Sequence, residues 1–137
     1  MIKQSFIVAG LLLGLAACQS TPQTQVEDLA IVGTWHIESA AGKPVIDYSP
    51  AEFIFAADGK LTGNNSCNNF FGNYTINGQT LTLQPAGNTM KACVDALTAQ
   101  EQRVMQAMPQ VTQAEMAKGK LVLKDANDET VFVLSQK

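Results

Sequence analysis

The side chain best placed for covalent chemistry in this sequence is Cys18. It follows Leu15-Ala16-Ala17 and ends an apolar run that begins at Phe6. Small residues ahead of a scissile bond fit a narrow protease site, and a thiol is the nucleophile suited to becoming a thioether. The chemistry this placement allows is cleavage just ahead of Cys18 and covalent modification of its thiol. Cys67 and Cys93 are left as an even pair. In an oxidising compartment such a pair reads as a disulfide. It would close a loop of about 27 residues and stabilise the fold by roughly 3.5 kcal/mol in the chain-entropy model. Two buried free thiols are the competing reading. A metal site is poorly supported: neither cysteine lies in a C-x-x-C, and the single histidine, His36, is on a distant strand.

The remaining polar candidates are weaker. Asn64, Asn65, Ser66, Asn68 and Asn69 crowd one short segment between Gly63 and Gly72. One reading is structural: the glycines permit tight backbone geometry, Asn68 bonds to neighbouring backbone, and Phe70 or Phe71 enters the core. The other makes Asn64, Asn65, Asn68 and Asn69 a ligand-facing surface. His36 and Glu38 share a strand face opposite Trp35, with no serine or cysteine nucleophile in a recognisable motif. Asp47, Glu52, Asp58, Asp95 and Glu101 fall at expected turns or caps rather than as a glycosidase-like pair. No G-x-S-x-G, H-E-x-x-H, phosphate loop or dinucleotide fingerprint occurs. The sequence therefore points to no catalytic residue, no metal and no cofactor. Met105, Met108 and Met116 read as core filling.

Three segments must position these residues. Residues 1–17 carry Lys3 and then an apolar run of twelve, the order of a secretory signal. Spanning a bilayer takes about 20 apolar residues, so this run targets and does not cross. Leu15-Ala16-Ala17-Cys18 resembles the bacterial lipobox, which implies a lipid anchor on Cys18. Gln19, where aspartate would imply inner-membrane retention, points to the periplasmic face of the outer membrane. Residues 18–30 are polar, contain Pro22, and read as a flexible tether. Residues 31–137 form the folded domain, a length sufficient for one core. Removing Lys3 with the signal leaves eight Lys+Arg against twelve Asp+Glu, a net charge near −4 with no basic cluster. Nucleic-acid binding, which needs phosphate neutralisation, is disfavoured.

Within the domain the pattern is short strands and tight turns. Thr34–Glu38, Glu52–Phe55, Lys60–Gly63, Asn73–Ile76 and Thr80–Leu83 read as strands, with turns at Gly42-Lys43-Pro44, Asp58-Gly59 and Asn77-Gly78. Thr98-Ala99-Gln100-Glu101 reads as a capping box opening a helix. That helix places Leu97, Val104, Met105 and Met108 on one face and stops at Pro109. Val111–Met116, Lys120–Lys124 and Thr130–Ser135 follow as strands, with turns at Lys118-Gly119 and over Asp125–Asp128. The expected fold is mainly β (α+β): an antiparallel sheet of about eight short strands, curved into an open barrel, with one helix inserted late.

Strand propensity does not explain the segment from Gly63 to Tyr74. It resembles the signature of the META domain (DUF306) family, which includes the HslJ-type bacterial lipoproteins: roughly G-x-x-G-C-N-x-F-x-G-x-Y. A later T-x-x-x-C is matched by Thr89 to Cys93, and a helical glutamate by Glu101. The family's opening tryptophan and G-x-P turn are matched by Trp35 and by Gly42-Lys43-Pro44. Ser66 departs from the pattern, standing where the family usually has glycine. If that position has positive φ, the serine is strained. The resemblance spans about Ile31 to Leu134. It implies a small antiparallel β domain of the bacterial envelope, linked to heat shock, drug tolerance or virulence, and brings no agreed catalytic mechanism. The function expected is that of a non-enzymatic envelope lipoprotein that binds or stabilises another component. Its partners would be the membrane, through Cys18, and an envelope protein or small ligand. A small inhibitor or ligand-binding module is the alternative, and a hydrolase the remote one.

Overall fold

The computed structural model describes residues 22–137. The expected signal segment, Cys18 and the start of the tether lie outside the described residues. Nine strands and one α-helix follow: β1 (Gly33–Ala40), β2 (Lys43–Pro44), β3 (Glu52–Phe55), β4 (Lys60–Asn64), β5 (Asn69–Asn77), β6 (Thr80–Asn88), α1 (Asp95–Ala107), β7 (Gln113–Ala117), β8 (Lys120–Lys124) and β9 (Thr130–Gln136). A single 3-10 turn, Met108–Gln110, joins α1 to β7. The fold is mainly β, antiparallel, with one late helix, as expected. Among the described residues no helix is long and apolar enough to cross a membrane.

The strands lie in the order β2-β1-β3-β4-β5-β6-β7-β8-β9, and β1 also pairs with β9, so the sheet curls into a ring. Alternation along each strand drives the curl: one face collects the apolar residues and the ring buries that face. Phe53 is central, with Phe55, Phe70 and Phe132 set edge-on around it at centroid distances of 6.1, 5.7 and 5.0 Å. Phe70 supplies the expected core aromatic, while Phe71 on the other face is 56% exposed. Met108 is buried and Met105 partly buried, but Met116 is exposed on β7, contrary to the reading of all three as core.

The ring is narrowest between β6 and β7. There only Thr80 and Gln113 pair, held by Leu81 N–H on Thr112 O at 3.1 Å and Ala114 N–H on Gln79 O at 2.8 Å. Beyond Thr80 the segment running opposite β6 leads back into the Met108–Gln110 turn, which is not extended and cannot continue the ladder. β6 itself bulges between its Gly72 and Phe71 pairings.

Four local expectations shift. The strand count rises because Lys43–Pro44 pair back onto β1. The turn is therefore Ala41-Gly42, both at positive φ, rather than Gly42-Lys43-Pro44. β5 begins at Asn69, not Asn73, because Phe70 and Phe71 find partners in both β4 and β6. Asn77 pairs with Thr80, so the β5–β6 turn is Gly78-Gln79 rather than Asn77-Gly78. Gly78 has φ +63 and Gln79 is not in that region, the glycine-first pattern of a type II′ turn. Finally, α1 starts at Asp95, and its N-cap Val94 makes no side-chain cap bond. Thr98 is inside the helix, so there is no capping box. Cys93 is tied down immediately before the helix, and the Glu101 carboxylate is drawn elsewhere.

The N-terminal segment is fastened before the expected domain start at Ile31. Leu29 N–H bonds Gly78 O at 2.9 Å, and Gly78 N–H bonds Asp28 Oδ1 at 2.8 Å. Trp35 Nε1 then bonds Ile31 O at 2.7 Å, and both residues are buried.

Candidate functional site

The polar segment between β4 and β5 turns inward. Asn65 is 0% and Asn68 3% exposed, and Ser66 is also buried. Only Asn64, half-buried, and Asn69, exposed, reach the surface. Of the two readings of this segment, the structural one therefore describes Asn65 and Asn68, and a ligand-facing surface made of all four asparagines does not. Their amides do backbone work instead. Asn65 Oδ1 accepts from Asn68 N at 2.8 Å and Cys67 N at 3.2 Å. Asn64 Oδ1 accepts from Ser66 N at 2.8 Å, and Asn64 Nδ2 bonds Asn69 Oδ1 at 3.0 Å. Side chains that substitute for a turn's missing backbone partners are the usual work of asparagine in such loops. Asn65 Nδ2 is buried without a partner among the described residues.

Close approach explains the flanking glycines. A methyl at Gly63 would sit 2.0 Å from Glu52 O, and one at Gly72 would sit 2.2 Å from Gln84 O. Ser66 has φ +106, so it adopts backbone geometry that disfavours any side chain. Its hydroxyl offsets this. Gln100 Nε2 donates to Ser66 Oγ at 2.6 Å and to Ser49 Oγ at 2.7 Å, and the two hydroxyls meet at 3.1 Å. Gln100 Oε1 in turn accepts from Ile46 N at 3.0 Å. Gln100 is 2% exposed and is the polar member of the helix's buried face. Sequence reasoning assigned it to the interior of a capping box and missed this role. The signal available was its spacing, three residues after Leu97 and four before Val104.

Asn68 joins the loop to the segment before α1. Its Oδ1 accepts from Lys91 N at 2.7 Å and Thr89 Oγ1 at 2.9 Å. Its Nδ2 donates to Glu101 Oε2 at 3.0 Å and Lys91 O at 3.2 Å. Asn88 Nδ2 takes the other carboxylate oxygen, Glu101 Oε1, at 3.0 Å. Both oxygens of Glu101 are thus held by amides. Cys67 and Cys93 are joined by a disulfide with Cα atoms 5.9 Å apart, bracing the same segment. His36 lies on β1 between Glu52 of β3 and Ser135 of β9, away from this cluster.

Two surface hollows flank the loop. An open groove of about 590 Å³ runs past Asn68, Asn88, Lys91, Cys93 and Glu101. A smaller one of about 430 Å³ lies between Ile54, Thr62 and Phe71. Thr89 lines both. Met90 stands out beside the larger groove, 96% exposed. The arrangement can hold a loop rigid and present a groove rim. Each oxygen of its carboxylate accepts one amide N–H, and Glu101 still lines the groove.

Comparison with known proteins agrees with this architecture. No curated protein matches the chain. A Burkholderia xenovorans protein solved by NMR is similar, at 19% identity and TM-score 0.61, covering 77% of this chain and 81% of its own. A DUF4847 family protein from Bacteroides vulgatus is similar at 15% identity and TM-score 0.60, covering 77% of this chain and 92% of its own. At these identities the likeness is one of fold. The sequence model of the META domain matches residues 16–137. With that match over all of the described residues, the chain belongs to the META domain family.

Proposed function

We propose that this chain is a non-enzymatic lipoprotein of the bacterial envelope, held by lipid on Cys18 at the periplasmic face of the outer membrane. There it binds or stabilises another envelope component and supports tolerance of heat or drugs. The observation that carries the reading is Leu15-Ala16-Ala17-Cys18 closing a short apolar run. Support for the absence of catalysis comes from the asparagine loop, whose amides are engaged in holding backbone and the Glu101 carboxylate. The test is Cys18→Ser in the full chain. Lipid labelling and membrane fractionation should both be lost, and continued labelling overturns the anchor.

A second reading, a small inhibitor or ligand-binding module, is favoured by the open groove and by Met90 projecting at its rim. It predicts that a photo-crosslinker at Met90 captures one recurrent partner from envelope extracts. Capture of nothing recurrent, with binding intact elsewhere on the domain, rejects it.

A further inference from the structure

The fastening of the N-terminal segment gives the domain a direction. β5 runs from Asn69 to Asn77 and β6 returns from Thr80 to Asn88. The Gly78-Gln79 turn and the asparagine loop therefore sit at opposite ends of one strand pair. Eight steps along β5 at about 3.3 Å each separate these ends by about 26 Å. The incoming chain is pinned at the turn end. Asp28 and Leu29 bond both backbone groups of Gly78, and a Cβ built on Gly78 would lie 2.6 Å from Val26 Cγ1, so the valine lies over the turn. Ten residues separate Cys18 from Asp28. As a flexible coil they span about 17 Å on average, less than the ~26 Å between the two ends.

We propose that this staple makes the Gly78-Gln79 end the membrane-facing end of the domain, with the groove and Met90 held on the side away from the lipid. The inference rests on the lipid-anchor reading of Cys18. A tether leaving the far end of β5 would turn the groove toward the bilayer, and one leaving an unfastened chain would favour neither end. Charge works against this direction rather than for it: residues 22–29 carry Glu27 and Asp28 and no cation, while Lys91 lines the groove, so the staple has to supply the orientation. The surface offered to a soluble or envelope partner is then the groove rim, and the surface offered to the lipid headgroups is the turn.

The test uses the full lipidated chain in phosphatidylethanolamine–phosphatidylglycerol vesicles carrying a headgroup-linked energy acceptor. Clickable p-azidophenylalanine replaces Gln79 in one variant and Met90 in another, and a donor dye is attached to each. That chemistry leaves the Cys67–Cys93 bond untouched. Energy transfer from position 79 should exceed that from position 90 by about twofold, given the ~26 Å between the two ends. Breaking the staple with Asp28→Ala and Val26→Ser should bring the two values together while the protein still floats with the vesicles. Equal transfer in the stapled protein, or greater transfer from position 90, overturns the orientation and leaves the anchor standing. Protein that fails to float overturns the anchor, and the orientation with it.

Discussion

The two ends of the β5–β6 pair solve the same problem by opposite means. At one end Gly78-Gln79 reverses the chain in two residues, with a single glycine at positive φ. At the other, the chain passes from β4 to β5 through Asn65–Asn68 with its side chains folded inward, and it depends on residues far away in sequence. Asn68 alone is bonded to Thr89, Lys91 and Glu101. The first device is local and tolerates its surroundings. The second is tertiary, and its polar groups are buried where an unmade bond is expensive. The stability of the two ends should therefore respond very differently to single changes.

The largest effect should come from the brace. Replacing both Cys67 and Cys93 by alanine should destabilise by roughly 3.5 kcal/mol if chain entropy dominates. The Asn68 bonds to Lys91 hold the same segment in the folded protein, so the loss comes from entropy regained by the unfolded chain rather than from loosening of the loop. Denaturant midpoints for the oxidised, reduced and double-alanine proteins measure it. A loss under about 1 kcal/mol would mean the hydrogen bonds suffice without the covalent link. Asn68→Ala should follow closely, at about 3 kcal/mol, since it strands the Lys91 amide and removes one of two donors from the Glu101 carboxylate. Asn68→Asp is the sharper probe. It keeps the shape and the acceptor oxygen for Lys91 N–H, but sets a second carboxylate against Glu101. If Asp is tolerated as well as Asn at neutral pH, the amide donation is not what holds the loop.

Next in size is the contrast between Ser66→Ala and Ser66→Gly. Both lose the Oγ that accepts from Gln100. Glycine also relieves the backbone at φ +106. Alanine should therefore be the worse of the two by about 1 kcal/mol. Equal loss in the two variants would mean that the backbone there is unstrained. At the opposite end, Gly78→Ala should lose about 1 to 2 kcal/mol, most of it for left-handed backbone on a residue with a Cβ. Adding Asp28→Ala should cost less than the sum, because both changes disturb the same contact.

How much of this was legible follows the same division. The turns at Asp58-Gly59 and Lys118-Gly119 were readable because a glycine at positive φ is a local requirement. The pairing of Cys67 with Cys93 was open to the count of cysteines, and the inward aromatic at Phe70 or Phe71 was narrowed to two. The Asn77-Gly78 pair misled by one residue: it suits a type I′ turn, but the β5–β6 register places Gly78 first in the loop and leaves Asn77 paired with Thr80. The capping box failed for a related reason. Glu101 matches the motif at Thr98, yet its oxygens bond Asn68 and Asn88, partners that local spacing does not reveal. Buried Gln100 was hidden likewise, since its partners Ile46, Ser49 and Ser66 lie more than a hairpin away. Composition left the asparagines open between a held turn and a polar surface, because polarity is usually outside. Only the satisfied bonds explain why they are inside.

The smallest effect tests whether burial is what makes the polar network strong. Glu38 lies where the β1–β9 register shifts, between Ile37 and Ser39. It receives a charged hydrogen bond from Lys120, and both side chains are partly exposed. That bond holds the Glu38 carboxyl below its ordinary value, against a smaller opposing push from desolvation. Because the folded-state value is depressed, the pair stabilises above the ordinary glutamate range and loses its contribution as pH falls through the folded-state value. Screening by solvent keeps an exposed pair of this kind under about 0.5 kcal/mol. Lys120→Ala should thus leave neutral stability within that margin and slightly flatten its fall as pH drops below the ordinary glutamate range. Asn68→Ala should shift the neutral midpoint several times further. If Lys120→Ala matched Asn68→Ala, charge rather than enclosure would be ranking the polar contacts. The contrast between the two ends of β5 would then have to be drawn on other grounds.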